Sequence, residues 1–252
     1  MCTVVILRRP DHDWPLVIAA NRDEMRDRPW SPPDRHWPER PDVVAGIDNL
    51  SGGSWLGLND HGVTACILNR RNSLGPQAGK RSRGELVLEA LDAADATDAA
   101  ANLVHLDPTA YRSFNLVIAD NRDAFWLRSL GQRNSRVEAH PIPEGLSMLT
   151  ARDLNDPESP RIARHLEDLR LALPPAPDLE DWDAWQEILA RPASGDPFDA
   201  MTIATEQGFG TVSSSLLALP APGLTRAGEP EKPVWLFAAG PPDSFPYQPV
   251  EL

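Results

Sequence analysis

Cys2 stands directly behind Met1, at the head of an apolar run that ends at Leu7. Cysteine is small, so removal of the preceding methionine is chemically reasonable and would leave residue 2 with both a thiol and a free α-amine. Their reference pKa values, about 8.5 and about 8, let the amine accept the thiol's proton near neutrality. Nucleophile and base on one residue is the logic of N-terminal nucleophiles. A second apolar run, 16–20, leads into Asn21, Arg22, Asp23 and Glu24. The charged, proline-bearing stretch 8–15 between the runs predicts an antiparallel hairpin with a long loop. That pairing would bring residue 2 beside residues 21–24. Arg22 would then favour the thiolate, Asp23 would hold the amine, and Asn21 or Asn69 would donate to an oxyanion. The plainer alternative is a buried strand cysteine beside a polar turn.

The turn alternative has support inside the chain, because residues 116–123 repeat residues 16–23 with Asp120 in place of Ala20. After the second copy a new strand begins, Ala-Phe-Trp-Leu at 124–127, which predicts a hairpin turn at 120–123. After the first copy the chain stays charged, so 21–24 reads as a site. Further along, Gly52 and Gly53 allow close backbone approach, Asn59-Asp60-His61-Gly62 supplies a hairpin turn, and Asn69 ends the apolar strand 63–68. Trp30, Trp37 and Trp55 are candidates to wall an apolar cleft, the first two on a proline-rich loop over 27–41. Ser213 and Ser215 would share one face of a strand over 210–219, and Ser213 is the ligand-binding candidate. Arg152, in a charged loop before a helix, is a candidate for a ligand carboxylate.

Helices are expected over 82–92, opened by a Ser82/Glu85 capping box, and over 97–106. Two more are expected over 159–169, with Pro160 in the first turn, and over 182–189. The order is strands, two helices, strands, two helices, strands, which indicates an α+β fold with sheets covered by helices. No compositional shift marks a boundary, so one domain over 1–252 is expected.

Met-Cys-Thr at the start, Asn-Arg-Asp-Glu at 21–24, Gly-Gly-Ser-Trp-Leu-Gly at 52–57 and Gly-Thr-Val-Ser-Ser-Ser at 210–215 resemble the NRDE family, also called the transport and Golgi organisation protein 2 family. That family is in turn similar to the N-terminal nucleophile hydrolases, near choloylglycine hydrolase and penicillin V acylase. The resemblance implies a four-layer αββα sandwich and a cysteine amidohydrolase acting on an amide or other linear C–N bond. The residues it carries over are Cys2, Asp23 and Asn69. Ala151 stands where the bile-salt-hydrolase-like enzymes carry an oxyanion-binding asparagine, with Arg152 beside it. The resemblance also implies an alternative, a carrier of haem or of a lipid-like ligand. In that case Arg22 or Arg152 would meet carboxylates, and Cys2 and His61 are candidates for axial ligands. A third option is a relic scaffold without activity.

The net charge of −13 over 252 residues argues against nucleic-acid phosphates and anionic membrane surfaces as partners. Cys2 and Cys66 make no disulfide framework, and no apolar run approaches the ~20 residues of a membrane helix. A cytoplasmic protein acting on a small molecule is expected. Its six histidines show no metal-ligand spacing. No cofactor is required, and haem enters only as a ligand.

Overall fold

The computed structural model describes residues 2–252. In chain order the elements are β1 (Thr3–Arg8), β2 (Leu16–Met25), β3 (Trp30–Asp34), β4 (Val43–Asp48), β5 (Leu56–Asn59), β6 (Thr64–Asn69), α1 (Glu85–Leu91), α2 (Ala96–Leu103), β7 (Phe114–Ala119), β8 (Ala124–Ser129), β9 (Glu138–Pro141) and β10 (Gly145–Leu149). They continue with α3 (Pro160–Leu171), α4 (Asp183–Leu189), β11 (Phe209–Leu219), β12 (Thr225–Arg226), β13 (Glu229–Pro230), β14 (Val234–Ala238) and β15 (Gln248–Pro249). The chain divides into two compact units, one of residues 1–27 and 143–250, the other of residues 28–142 and 251–252.

The first unit holds a six-stranded antiparallel sheet in the order β10-β1-β2-β11-β14-β15. One face carries Val5 and Leu7 of β1, Val17 and Ala19 of β2, and Leu216 and Ala218 of β11, all odd or all even along their strands as a two-residue repeat requires. This stripe packs on Ile162, Leu166 and Leu169 of α3 and on Trp185, Ile188 and Leu189 of α4. Pro160 occupies the first turn of α3, where its missing N–H costs nothing. The expected hairpin exists, with Thr3 opposite Asn21 and Arg8 opposite Leu16. β2 runs further than its apolar stretch, however, through the whole tetrad to Met25. Asn, Asp and Glu are poor strand formers, but β11 pairs with β2 from Leu16 to Met25, and its ladder holds the polar residues extended.

The second unit is a seven-stranded antiparallel sheet in the order β3-β4-β5-β6-β7-β8-β9. α1 and α2 cover Val43, Ala45, Ala65, Leu116, Ile118 and Leu127. Part of the loop expected over 27–41 is strand β3, paired with β4. The expected capping box is not made. α1 starts after Gly84 with no side-chain cap, and Glu85 binds Arg81 at 2.8 Å. The chain around Gly84 passes close to Gly53, where a Cβ would meet the Gly84 carbonyl carbon at 2.5 Å. The close approach expected for this glycine pair therefore belongs to Gly53. Gly52 serves through its positive φ of 72°.

Asn59 does more than turn the hairpin. Its Nδ2 donates to the carbonyls of Leu91 and Ala93, each at 2.8 Å, and its Oδ1 accepts from His61 N at 3.1 Å and Val63 N at 2.9 Å. One buried amide thus caps the end of α1 and closes the β5–β6 turn. We predict that Asn59→Ala, by stranding buried donors and carbonyls worth about 1–3 kcal/mol each, lowers the unfolding free energy by roughly 3 kcal/mol or more in denaturant melts. A loss below ~1 kcal/mol would show that water replaces the amide freely.

Candidate active site

β1 and β2 are buried apolar strands, so their ends are fixed in register, and this brings Cys2 beside Asp23. The Cys2 sulfur accepts from Asp23 N at 3.4 Å and lies 3.6 Å from Asp23 O. The contact is with the Asp23 backbone. Its carboxylate is engaged on the helix-covered face, where Oδ2 pairs with Arg161 Nη1 at 3.1 Å and Oδ1 accepts from the Thr211 hydroxyl at 2.7 Å. The same Nη1 of Arg161 donates to the Thr3 hydroxyl, and the Thr211 hydroxyl accepts from Ile203 N at 2.9 Å. The charged ends of Asp23 and Arg161 are 0% and 3% exposed, so this ion pair is an interior one. Three strands and one helix meet in it.

Strand alternation places the other tetrad residues. Asn21 faces the helices, where Nδ2 spends both protons on Leu189 O at 3.0 Å and Met201 O at 2.9 Å. Its Oδ1 accepts from the Ser214 hydroxyl at 2.6 Å, and that oxygen lies 2.7 Å from the Tyr247 hydroxyl. The oxyanion role expected of Asn21 is therefore corrected: its donors are consumed in tying α4 and its following loop to the sheet. Arg22, buried, alternates to the face opposite Asn21 and Asp23, with Ser213 as its neighbour across the β2–β11 ladder. Burial pushes the half-buried Cys2 thiol above its ordinary pKa, the Asp23 charge adds to the rise, and the Asp23 N–H and Arg22 pull it back.

Arg152 forms ion pairs with Glu158 at 2.6 Å and Asp156 at 3.4 Å, so a ligand carboxylate would compete with two resident ones. Asn69, Trp30, Trp37 and Trp55 belong to the second unit. Asn69 closes β6 opposite Phe114. Trp30 and Trp55 make an edge-to-face pair at 5.7 Å, and Trp55 lies over Gly46, where a Cβ would meet its ring at 2.3 Å. Trp37 is packed into the core of that unit and donates its N–H to Gly52 O at 3.2 Å. Among the described residues no group of three or more His, Cys, Asp or Glu side chains could hold a metal ion.

Arg161, Thr3 and Thr211 are the residues that sequence reasoning missed. A signal existed for the first. Arg161 stands on the buried stripe of α3 with Ile162, His165, Leu166 and Leu169, and a guanidinium on an apolar stripe demands a buried partner. We predict that Asp23→Ala, which strands that guanidinium, destabilises the fold by roughly 3–5 kcal/mol, measured by equilibrium unfolding. We also predict that alkylation of Cys2 in chains retaining Met1 keeps accelerating above pH 9.0, because burial raises the thiol above its ordinary range. Only the thiolate reacts, so a plateau reached near neutrality would contradict the raised pKa.

A sequence model of the family described as Transport and Golgi organisation 2 matches residues 1–176. Transport and Golgi organization protein 2 homologs of Bos taurus and Homo sapiens are each 34% identical over 110 residues, 42% of this chain. That match spans 38% of the relatives' own length. Among solved structures, the Caenorhabditis elegans N-acylethanolamine-hydrolyzing acid amidase ortholog superposes with a TM-score of 0.57 at 13% identity, over 92% of this chain and 98% of that one. A mutant of conjugated bile acid hydrolase from Clostridium perfringens gives 0.54 at 10% identity, over 100% and 97%. Penicillin V acylase from Agrobacterium tumefaciens gives 0.50 at 13%, over 95% and 83%. These likenesses show the fold, which is of the N-terminal nucleophile hydrolase type, as the sequence resemblance implied. With residues 1–176 matched, the chain belongs to the Transport and Golgi organisation 2 family.

Proposed function

We propose that the chain is a hydrolase that cleaves an acyl amide, with Cys2 as an N-terminal nucleophile once Met1 is removed. The observation that carries this reading is the Cys2 sulfur held by the Asp23 N–H at 3.4 Å at the end of the β1–β2 ribbon. The fold adds support, since the three solved neighbours are by name an amidase, a hydrolase and an acylase. Their activities are proposed here for this chain by likeness of scaffold.

With Met1 in place the thiol is held protonated by burial and by the Asp23 charge, which makes it a latent nucleophile. Freed, the α-amine of residue 2 takes the thiol proton, the sulfur bonds to the acyl carbon, and the proton passes to the leaving amine as the C–N bond breaks. Water, deprotonated by the same amine, then cleaves the thioester and releases the acid. Arg22 on the β2 face opposite Asp23 favours the thiolate. Intact-mass analysis should show loss of Met1. A panel of N-acyl p-nitroanilides should leave an acyl adduct on Cys2 that Cys2→Ala lacks. Retained Met1, or equal nitroaniline release by Cys2→Ala, rejects the mechanism.

A carrier of haem or an acyl ligand is the second reading, favoured by the half-buried Trp30–Trp55 pair of the second unit. It predicts a Soret band on adding haem that shifts in Cys2→Ala or His61→Ala, without turnover. A spectrum indistinguishable from haem with an inert acidic protein rejects it.

A further inference from the structure

Arg161 touches the chain on both sides of the proposed nucleophile. Through Nη1 it donates to the Thr3 hydroxyl, one residue beyond Cys2, and to Asp23 Oδ2 at 3.1 Å. Asp23 is the residue whose N–H reaches the Cys2 sulfur. Thr3 and Asp23 lie on neighbouring strands, with Thr3 opposite Asn21. A single buried guanidinium therefore ties together the ends of β1 and β2 at the point where the sulfur sits. The tie is anchored from outside the ribbon, because Arg161 belongs to the first turn of α3 and the Thr211 hydroxyl on β11 holds the other carboxylate oxygen at 2.7 Å. A guanidinium is planar and fixed in charge, so its donors define positions as well as attraction.

We propose that Arg161 is a positioning residue for Cys2, acting through Thr3 and Asp23 to hold the sulfur against the Asp23 N–H. The proposal rests on Cys2 as the reacting atom, but its test reads thiol reactivity and needs no turnover. The groups that act electrostatically on the thiol include Asp23 and Arg22. Loss of the Arg161 charge alone would leave the Asp23 carboxylate less balanced and slow the thiol near neutrality. Loss of placement would instead change the rate once the thiol is fully ionised.

The experiment is the pH profile of iodoacetamide labelling of Cys2 in the full chain, with Cys66 as internal reference, for Thr3→Val, Arg161→Met and Arg161→Lys. Thr3→Val removes only one arm of the tie and suits a strand. The expected result is a change of at least ~threefold in the high-pH Cys2 rate for Thr3→Val and Arg161→Met, about half of one tenfold step. Cys66 labelling should be unchanged, and Arg161→Lys should lie between wild type and Arg161→Met. Cys2 profiles that superimpose on wild type in folded variants overturn the proposal, even if melting temperatures fall. Should Arg161→Met fail to fold, an unchanged profile in Thr3→Val overturns it alone. If the rate changes as expected but no N-acyl p-nitroanilide acylates wild-type Cys2, the positioning role stands and the hydrolase reading falls.

Discussion

The first unit depends on the buried pair of Asp23 and Arg161. Removing a carboxylate and a guanidinium from water costs several kcal/mol per ion, so such a pair persists only where the surroundings complete its hydrogen bonding. Here the Thr3 and Thr211 hydroxyls supply part of it, one to each ion. The pair also defines register. A one-residue slip of β2 would carry every side chain to the other face, turning Asp23 away from α3 and pressing Arg22 against it. The Cys2–Asp23 backbone contact is correct only in the register that the ion pair selects.

A bulge in β11 makes this arrangement compatible with the rest of the sheet. Thr211 stands opposite Asp23 and Ser213 opposite Arg22, so β11 spends one more residue than β2 over that step. Thr211 and Ser214 are an odd number of residues apart, and in a regular strand they would face opposite ways. With the bulge both face the helices, Thr211 to bind Asp23 and Ser214 to bind Asn21. Bulges commonly re-aim a side chain beside a site. The consequence here is that Ser213 keeps the face of Arg22.

The two copies of Leu-Val-Ile-Ala-x-Asn-Arg-Asp show how little of this is local. Residues 16–23 stay extended within β2. Residues 120–123 turn, because Asp120 Oδ1 accepts from Arg122 N at 2.7 Å and Asp123 N at 2.8 Å. Its Oδ2 also accepts from Ala96 N at 2.9 Å, at the start of α2. Ala20 has no side-chain oxygen to close such a turn, and β11 offers its stretch a ladder instead.

The sequence by itself determined the hairpin that places Cys2 beside the tetrad, the turn at the second copy, most of the longer strands other than β3 and the four α-helices, because these follow from short-range patterning and turn chemistry. It also carried the family and, through it, the fold type, in the combination of motifs at 2, 21–24, 52–57 and 210–215. The sequence did not determine what the tetrad's side chains bind. Asn21 and Asp23 read as groups aimed at the sulfur, yet Asn21 ties down α4 and the Asp23 carboxylate binds Arg161, 138 residues away. Only the tertiary structure decided this, because the face a polar strand residue presents depends on the register and bulge of its partner strand, and a buried charge finds its partner in space and not along the chain.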